Sequence, residues 1–215
     1  MPITPTHKIW MNGQLVDWDD ARIHVLTHTL HYGMGVFEGI RAYETPKGPA
    51  VFRLTEHIER LHNSAKILGM EMTFSVDELV QATKDVVRAS GLPSAYIRPI
   101  AYYGYGEMGL NTLPCSVDVS IACWPWGAYL GEDALTKGIT TKISMPPASK
   151  TTGNYVNSSL AKVEALRGGY DEAIMLNPQG FVSECTGENI FVARDGVLVT
   201  PPIAAGALEG ITQDS

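Results

Sequence analysis

The chain contains few charged residues and few cysteines, and both scarcities limit what it can be. Charged residues make up 18% of the 215 positions, and the formal net charge is -7. With a pI near 5.3, the surface does not suit nucleic acid or another polyanion. The three cysteines, Cys115, Cys123 and Cys185, show no C-x-x-C spacing and leave one unpaired. We therefore expect a reduced, cytosolic setting.

Long apolar runs are also missing. The most apolar stretch, residues 119–130, is too short for a membrane span and contains Pro125. The N-terminal eight residues have no apolar core, so they do not predict a secretion signal. We expect a soluble, cytoplasmic protein with no membrane partner. A length of 215 residues and a hydrophobic content of 45% predict one large or two small domains with a sizeable core.

Acidic residues are absent from one long stretch that surrounds a lysine. Residues 134–163 contain four lysines and no Asp or Glu. Among them Lys150 follows two prolines and lies between small residues. A desolvated lysine can act as a neutral amine, the form that attacks a carbonyl to make a Schiff base. The alternative is a solvated lysine in a Ser/Thr/Gly loop, and composition alone favours that alternative.

Periodicity and turn residues predict an α+β protein. Asn12-Gly13 predicts a hairpin, Thr55 predicts the start of a helix that leaves Arg60 off its apolar face, and Ser75 with Glu78 predicts a capping box for a second helix. A third helix is predicted at residues 155–166. Strands are predicted at residues 36–43, 50–53, 96–103, 117–124, 138–144, 172–176, 181–185, 190–193 and 197–200. The predicted domains are a small N-terminal α+β domain (1–130), a linker with a first strand (131–149) and the start of a larger domain (150–215).

Two short motifs do not predict the sites that they resemble. Residues 104–109 match G-x-G-x-x-G after a strand, but a dinucleotide fingerprint must open a helix, and residues 110–114 are not expected to form one. His24, His28 and His31 have a spacing that suits a metal on a helix. No acidic residue or cysteine completes the set, so we predict packing or hydrogen-bonding histidines and no metal site.

Six blocks resemble one family, in the family's order and over nearly the whole chain. They are YGMGVFEGIR (32–41), SAYIRP (94–99), WGAYLG (126–131), KTTGNY (150–155), SECTGENI (183–190) and LEGIT (208–212). The chain thereby resembles branched-chain amino-acid aminotransferases, which are fold-type IV enzymes of the class IV aminotransferases. The resemblance implies two domains, a small α/β N-terminal domain and a larger β-rich domain whose C-terminal part is missing here.

The resemblance also implies pyridoxal 5'-phosphate as cofactor. Lys150 then forms the internal Schiff base and moves the proton during transamination. Glu184 faces the pyridine nitrogen, and Tyr155 lies at the ring O3'. The resemblance further implies that the Arg60 guanidinium and the helix-start amides of Ile211 and Thr212 bind the phosphate. It also implies that Leu208 packs on the ring.

For the substrate, the resemblance implies an apolar pocket. Its residues in this chain are Phe37, Tyr129 and Tyr155. From a second subunit come Tyr32, Met108 and Leu110, which implies a homodimer or a dimer-based oligomer. Tyr96 helps to hold the α-carboxylate, and Arg98 pairs with the side-chain carboxylate of glutamate. For Phe37 and Tyr129, plain core packing is the alternative.

The implied reaction is transamination of Leu, Ile and Val with 2-oxoglutarate, with amino acids and 2-oxo acids as the only partners. Arg98 and the block around Tyr96 favour it over a D-amino-acid aminotransferase or a lyase of the same fold. A non-catalytic fragment that binds a partner or an anion is the alternative of another class. We also expect that the short connection at Ser144–Met145 lacks residues of an interdomain loop, and that the intact chain continues past Ser215.

Overall fold

The computed structural model describes residues 3–109, 111–126, 143–144 and 150–215. These residues form two compact units. The first contains residues 3–126 together with Thr151–Gly153, and the second contains residues 143–144, Lys150 and Asn154–Ser215. The predicted domain limits near residues 130 and 149, and the connection at Ser144–Met145, fall at positions outside the described residues.

The first unit is built on an antiparallel sheet of seven strands. The strands are β1 (Lys8–Met11), β2 (Gln14–Asp17), β3 (Gly35–Phe37), β4 (Ile40–Tyr43), β5 (Ala50–Val51), β6 (Ala95–Tyr103) and β7 (Val117–Trp124). Their order is β2-β1-β7-β6-β4-β5, and β3 also pairs with β6. The predicted hairpin is confirmed, because Asn12 and Gly13 have φ angles of 47° and 98° between β1 and β2.

Three helices belong to this unit: α1 (His28–Tyr32), α2 (Leu54–Ile67) and α3 (Val76–Ser90). The capping box of Ser75 and Glu78 is confirmed, and α3 ends at Gly91 in the left-handed conformation. The apolar sides of α2 and α3 join the sheet in a core of Ile, Leu, Val and Ala side chains. This core accounts for the stability of the first unit, because apolar burial is the main favourable contribution to folding.

The predicted cap at Thr55 is wrong by two residues. Helix α2 begins at Leu54, and Arg53 is its N-cap. The side chain of Arg53 donates from Nε to Glu56 Oε1 at 2.9 Å, which fixes the residue before the helix. Strand β5 is shorter than predicted for the same reason, since residues 52–53 turn into the helix.

The predicted strand 36–43 is interrupted at Glu38-Gly39. Both flanking strands pair with β6, with Phe37 opposite Ile100 and Ile40 opposite Ile97. Glu38 is fully buried and bonds to side chains of α2 instead of following the alternation of a strand. A Cβ at Gly39 would collide with the hydroxyl of Tyr96. The interruption therefore follows from a buried carboxylate beside a position where only glycine fits.

The described residues of the second unit form a three-stranded sheet, a hairpin and an α-helix. Its strands are β8 (Ile143–Ser144), β9 (Ile174–Leu176), β10 (Val182–Cys185), β11 (Val192–Arg194) and β12 (Val197–Val199), and its helix is α4 (Tyr155–Arg167). Strand β8 is parallel to β9, β10 is antiparallel to β9, and β11 pairs with β12 across Asp195-Gly196. The last four strands lie within two residues of their predicted bounds, and of predicted strand 138–144 only the last two residues are described.

Among the described side chains of the second unit, one apolar core cluster has four members. It contains Ala161, Ala165, Ala173 and Met175. Leu166, near the end of α4, is 56% exposed. Buried polar residues occupy the same unit, among them Glu172, Ser183 and Thr186. No helix within the described residues is both long enough and apolar enough to cross a lipid bilayer.

Candidate active site

Lys150 and Tyr155 stand at the start of α4. A 3-10 turn, Thr152–Asn154, separates the two residues and brings the second back toward the first. Lys150 Nζ donates a hydrogen bond to the Tyr155 hydroxyl at 3.1 Å. Lys150 is half-buried, so its amine is neither fully solvated nor sealed from a ligand. The loop lysine predicted as a nucleophile therefore has a phenol as a hydrogen-bonding neighbour.

A cleft of the second unit brings together four of the predicted cofactor residues. They are Lys150, Tyr155, Glu184 and Leu208. The cleft is also lined by polar residues and a glycine to which no role was assigned from the sequence: Asn154, Ser158, Thr186, Gly187, Glu188 and Asn189. An amine, a phenol and carboxylates in one cleft are a set of groups that can bind a polar ring and transfer protons.

Glu184 lies near the end of β10 and is partly buried. Burial raises the pKa of its carboxyl, while the Leu208 N–H and the charge of Lys150 act in the opposite direction. The sequence around Lys150 has no acidic residue nearby in the chain, yet the fold places this distant carboxylate close enough to act on the pKa. Groups with opposing influences on a pKa are typical of functional sites.

The backbone of Leu208 is held on both sides. Its N–H donates to Glu184 Oε2 at 2.8 Å, and its carbonyl accepts from Asn189 Nδ2 at 2.9 Å. A Cβ at Gly210 would collide with Asn189 Oδ1, so this loop passes too close for another residue type. The last turn follows, where Asp214 N–H donates to the Gly210 carbonyl at 3.1 Å. Ile211 and Thr212 lie in this turn and do not line the cleft, so their phosphate role stays a prediction.

Glu188, the second carboxyl group of the cleft, lies close to a buried cluster around Glu172. Glu172 is fully buried and accepts hydrogen bonds from Lys162, Thr186 and the Ala173 N–H at 2.6–2.8 Å. Burial alone would raise its pKa, but these bonds hold the pKa below the usual value. Burial and the charge of Glu172 raise the pKa of Glu188 to about 7.

Glu188 is the cleft residue that sequence reasoning missed. Its Oε1 atom is buried, and within the described residues it has no hydrogen-bond partner. The residue lies in the block SECTGENI on which the resemblance rests, but only Glu184 was assigned there. The spacing of two glutamates across a Thr-Gly turn was the available signal, because such a turn can direct both side chains to one side.

Three predicted substrate residues form a cluster in the first unit. Tyr96 and Arg98 are two positions apart on β6 and therefore share a face of the sheet. Arg98 Nη2 donates to the Tyr96 hydroxyl at 2.7 Å. The Arg98 guanidinium also lies 4.6 Å from the centre of the Phe37 ring. Its Nε is buried and has no hydrogen-bond partner among the residues described. An anionic group would supply that partner.

Arg60 is paired inside the first unit. Its Nε and Nη2 donate to the two oxygens of Glu38 at 2.6 and 2.7 Å, and His57 Nδ1 lies 2.8 Å from Glu38 Oε2. The two-point geometry fixes the guanidinium plane. Its predicted contact to a cofactor phosphate is not tested by this arrangement.

The remaining predicted substrate residues have different outcomes. Tyr32 and Met108 are 40% and 45% exposed on the first unit. Leu110 and Tyr129 lie outside the described residues. The structure thus brings together Lys150, Tyr155, Glu184 and Leu208 in one unit and Phe37, Tyr96 and Arg98 in the other.

Comparisons with known proteins agree with the chemistry that this geometry indicates. Residues 35–215 match the family model for amino-transferase class IV. A branched-chain-amino-acid aminotransferase of Pseudomonas aeruginosa is 52% identical over 217 residues, covering 96% of this chain and 70% of the relative.

Solved structures are also similar. The crystal structure of an Escherichia coli branched-chain amino acid aminotransferase has a TM-score of 0.94 and 50% identity, over 98% of this chain and 72% of that one. A second crystal structure, of a branched-chain amino acid aminotransferase complexed with N-(5'-phosphopyridoxyl)-L-glutamate, has a TM-score of 0.90 and 48% identity, over 98% and 71%.

Proposed function

Because this chain belongs to the class IV aminotransferases, and among them to the branched-chain-amino-acid aminotransferases, we propose that it transfers the amino group of Leu, Ile or Val to 2-oxoglutarate. The products are branched-chain 2-oxo acids and L-glutamate. The observation that carries this proposal is the cleft in which the Lys150 amine, the Tyr155 phenol and the Glu184 carboxyl converge.

The groups of the cleft fit pyridoxal 5'-phosphate. The cofactor requires a lysine amine for its aldehyde and a carboxylate near its ring nitrogen. Lys150 supplies the amine, and Glu184, with its pKa raised by burial, supplies a basic carboxyl. Tyr155 supplies a phenol that already accepts a hydrogen bond from that amine. We propose that Arg60, Ile211 and Thr212 bind the phosphate and that Leu208 packs on the ring.

When bound, pyridoxal phosphate supplies a ring that withdraws electrons from the amino-acid Cα. The work of the chain is to hold and move protons. Lys150 takes the proton from Cα in its neutral form and later returns a proton to the product. Tyr155 orients the Lys150 amine through their 3.1 Å hydrogen bond. Glu184 accepts a hydrogen bond from the ring nitrogen, and the Leu208 N–H fixes the carboxylate for that task.

We propose that the cluster on β6 recognises the substrate. Phe37 offers an apolar surface for a branched side chain, with Tyr129 and Tyr155 as further pocket residues. The Nε of Arg98 is available for a carboxylate because it is buried without a partner among the described side chains. One pocket then accepts an apolar and an acidic amino acid in turn, the acid through Arg98 and the α-carboxylate through Tyr96.

The rest of the proposal concerns assembly and role. Tyr32, Met108 and Leu110 reach the pocket of a second copy, so the active form is a homodimer or a dimer-based oligomer. The enzyme works in the cytoplasm, in branched-chain amino-acid biosynthesis. A D-amino-acid aminotransferase, a lyase of this fold and a non-catalytic fragment are not favoured, because the relatives described above carry the branched-chain name.

The proposal is tested by mass-spectrometric assay of 4-methyl-2-oxopentanoate formed from L-leucine and 2-oxoglutarate with added pyridoxal phosphate. We expect turnover with L-leucine and none with D-leucine. Lys150→Ala should lower the rate by about a thousandfold or more, because the proton carrier is lost. Borohydride should then no longer fix the cofactor to the protein.

The matched control is Lys84→Ala, which removes an exposed lysine of α3. It should leave both the rate and the borohydride labelling unchanged. Activity with D-leucine alone would favour the D-amino-acid alternative. Labelling that survives in Lys150→Ala would contradict the assignment of this residue.

A further inference from the structure

One loop of the first unit is fastened at both ends by a single residue. The loop is residues 104–109, the stretch that matches G-x-G-x-x-G. The backbone N–H of His28 donates to the Gly104 carbonyl at 3.0 Å. The side chain of His28 donates from Nε2 to the Gly109 carbonyl at 2.8 Å. His28 therefore links the two ends of the loop through these two hydrogen bonds, which we call the clasp. No helix begins in described residues 111–115, which follow the loop.

The other face of the His28 ring touches Tyr32. The two ring centres are 4.6 Å apart on α1, and Tyr103 of β6 meets the His28 ring edge-on at 6.0 Å. His28 is only 1% exposed. Because a carbonyl can only accept, Nε2 must carry the proton. Nδ1 is buried and has no partner among the described residues, so the Gly109 bond is the hydrogen bond that orients the ring, beside its contacts with Tyr32 and Tyr103.

The neighbouring histidines do not duplicate this bond. His31 Nε2 donates to the Val25 carbonyl at 3.0 Å, and His24 Nδ1 accepts from the Leu26 N–H at 3.1 Å. Both bonds stay within residues 24–31. The interpretation of these histidines as hydrogen-bonding residues is confirmed, and His28 is the one of the three whose hydrogen bonds reach the loop.

At its start the loop has a second bond, because the Gly104 N–H donates to the Ser116 carbonyl at 2.8 Å. Beyond Gly104, the other described contacts of the loop are weak. Tyr105 contacts the His24 ring at 4.4 Å, and the Cys115 thiol donates to the Glu107 carbonyl at 3.8 Å. Both contacts are at least partly exposed to solvent. The loop side chains stay accessible, with Tyr105 58% and Met108 45% exposed. A loop with few buried contacts depends strongly on each of its hydrogen bonds.

We propose that His28 is a positioning residue for substrate binding, which holds the loop carrying Met108 and the ring of Tyr32 in one fixed arrangement. The inference rests on the proposed function, in which Tyr32 and Met108 contribute to the substrate pocket. His28 touches neither substrate nor cofactor. It acts by removing the freedom of the two elements that present those side chains, so its loss weakens substrate binding more than the chemical step.

The test separates the hydrogen bond from the ring. His28→Phe keeps a ring against Tyr32 and removes the bond to Gly109, and His28→Gln keeps an amide donor at nearly the position of Nε2. His31→Phe is the matched control, because His31 lies on the same helix and, among the described residues, its side chain hydrogen-bonds to Val25 and not to the loop. Loop order is read from the rate at which a glutamate-specific protease cuts after Glu107, followed by mass spectrometry of the native holoenzyme.

We expect His28→Phe to be cut at least about fivefold faster, the factor that corresponds to loss of one net hydrogen bond. His28→Gln and His31→Phe should stay within about twofold of the natural protein. The KM for L-leucine should rise about fivefold in His28→Phe, while kcat and cofactor retention stay within about twofold. Unchanged cleavage in His28→Phe would overturn the clasp. Faster cleavage with an unchanged KM would overturn the role in substrate binding.

A measurement on the natural protein keeps the proposal testable if His28→Phe does not fold. Long-range ¹H–¹⁵N NMR of the imidazoles should show His28 with its proton on Nε2. An Nδ1 proton, or rapid interconversion of the two forms, would overturn the bond to Gly109. If the natural protein shows no transamination, the proposed function fails, whereas the cleavage and NMR results still decide whether the clasp exists.

Discussion

The buried glutamates of the two units have different surroundings. In the first unit, Glu38 is fully buried and faces both the Arg60 guanidinium and the His57 ring. In the second unit, one lysine, Lys162, pairs with Glu172, and burial raises the pKa of both Glu184 and Glu188. The carboxylate of the first unit therefore has a two-point contact to one guanidinium, whereas the three carboxyl groups of the second unit are accompanied by Lys162 and Lys150.

The buried carboxylate of the first unit serves stability, whereas the Glu184 and Glu188 carboxyl groups of the second unit are suited to proton transfer. The first unit has a large apolar core, so an ion pair such as that of Glu38 serves to fix the turn between β3 and β4. The described side chains of the second unit include a core cluster of three alanines and one methionine and several buried polar groups. A carboxyl with a raised pKa lies closer to neutrality and is better suited to exchange protons at physiological pH.

The largest stability effect should come from breaking the compensated pair. Glu38→Gln removes the carboxylate charge that faces the Arg60 guanidinium, whose side chain is 18% exposed. We expect the free energy of unfolding to fall by about 3 kcal/mol, since removal of one member of a buried pair strands the other. Urea denaturation measures this change. Asp85→Asn, which alters the exposed pair with Arg88 on α3, should leave the midpoint unchanged. Equal midpoints for both variants would show that the Glu38 pair is not structural.

A smaller effect on the free energy of unfolding is expected at Glu188, and this effect depends on pH. Its pKa is about 7 in the folded protein and 4.5 as the ordinary value. The folded state thus binds the proton more tightly. The stabilising contribution is complete below pH 4.5 and is lost as the pH rises through 7. We expect a loss of about 2 kcal/mol between pH 5 and pH 8 from this group, which is a conservative part of the full linkage value.

The comparison that isolates this group is Glu188→Gln, which has no carboxyl to titrate. Its unfolding free energy should fall less between pH 5 and pH 8 than that of the natural protein, by the stated amount. Glu209→Gln, at an exposed position of the same unit, should keep the natural slope. Identical slopes for the natural protein and Glu188→Gln would mean that the Glu188 carboxyl is not perturbed by its neighbours.

The smallest free-energy effect concerns turnover at Glu184. Glu184→Gln keeps an acceptor for the Leu208 N–H but loses the charge, whereas Glu184→Ala loses both. We expect both variants to retain pyridoxal phosphate and to lose more than about tenfold in kcat, because the interaction should be worth more than ~1.4 kcal/mol. Stopped-flow absorbance with L-leucine measures the rate. A loss of about tenfold or less in Glu184→Ala would remove this residue from the proposed mechanism.

Local patterns predicted most of the first unit. The Asn12-Gly13 hairpin and the capping box of Ser75 and Glu78 depend on residues close together in the sequence, and the structure has them as predicted. The prediction also missed Arg53 as the N-cap of α2, although its partner Glu56 is only three residues away. The prediction failed at Glu38 because side chains of α2 far along the chain position this residue. A pattern of one segment does not contain the partner that a distant helix supplies.

The candidate site shows the same limit. Family resemblance selected Lys150, Tyr155, Glu184 and Leu208, and these residues do share a cleft. Reasoning from the residues alone indicated that Lys150 has no acidic neighbour in the sequence. In the structure, burial raises the pKa of Glu184, which lies on β10, well beyond α4 in the chain, and the charge of Lys150 opposes this rise. Glu188 was missed because its raised pKa depends on burial and on Glu172, neither of which is visible in the local sequence.

The hydrogen bond from Leu208 to Glu184 has a consequence for mutational tolerance. The donor is a main-chain N–H, so nearly every side chain at position 208 leaves the partner of the carboxylate in place. Proline is the exception, because it has no N–H to donate. Other substitutions at position 208 therefore keep the hydrogen bond to Glu184, while they change the side chain that we propose packs on the cofactor ring. Position 208 thus combines a main-chain contact that most substitutions preserve with a side-chain contact that they change.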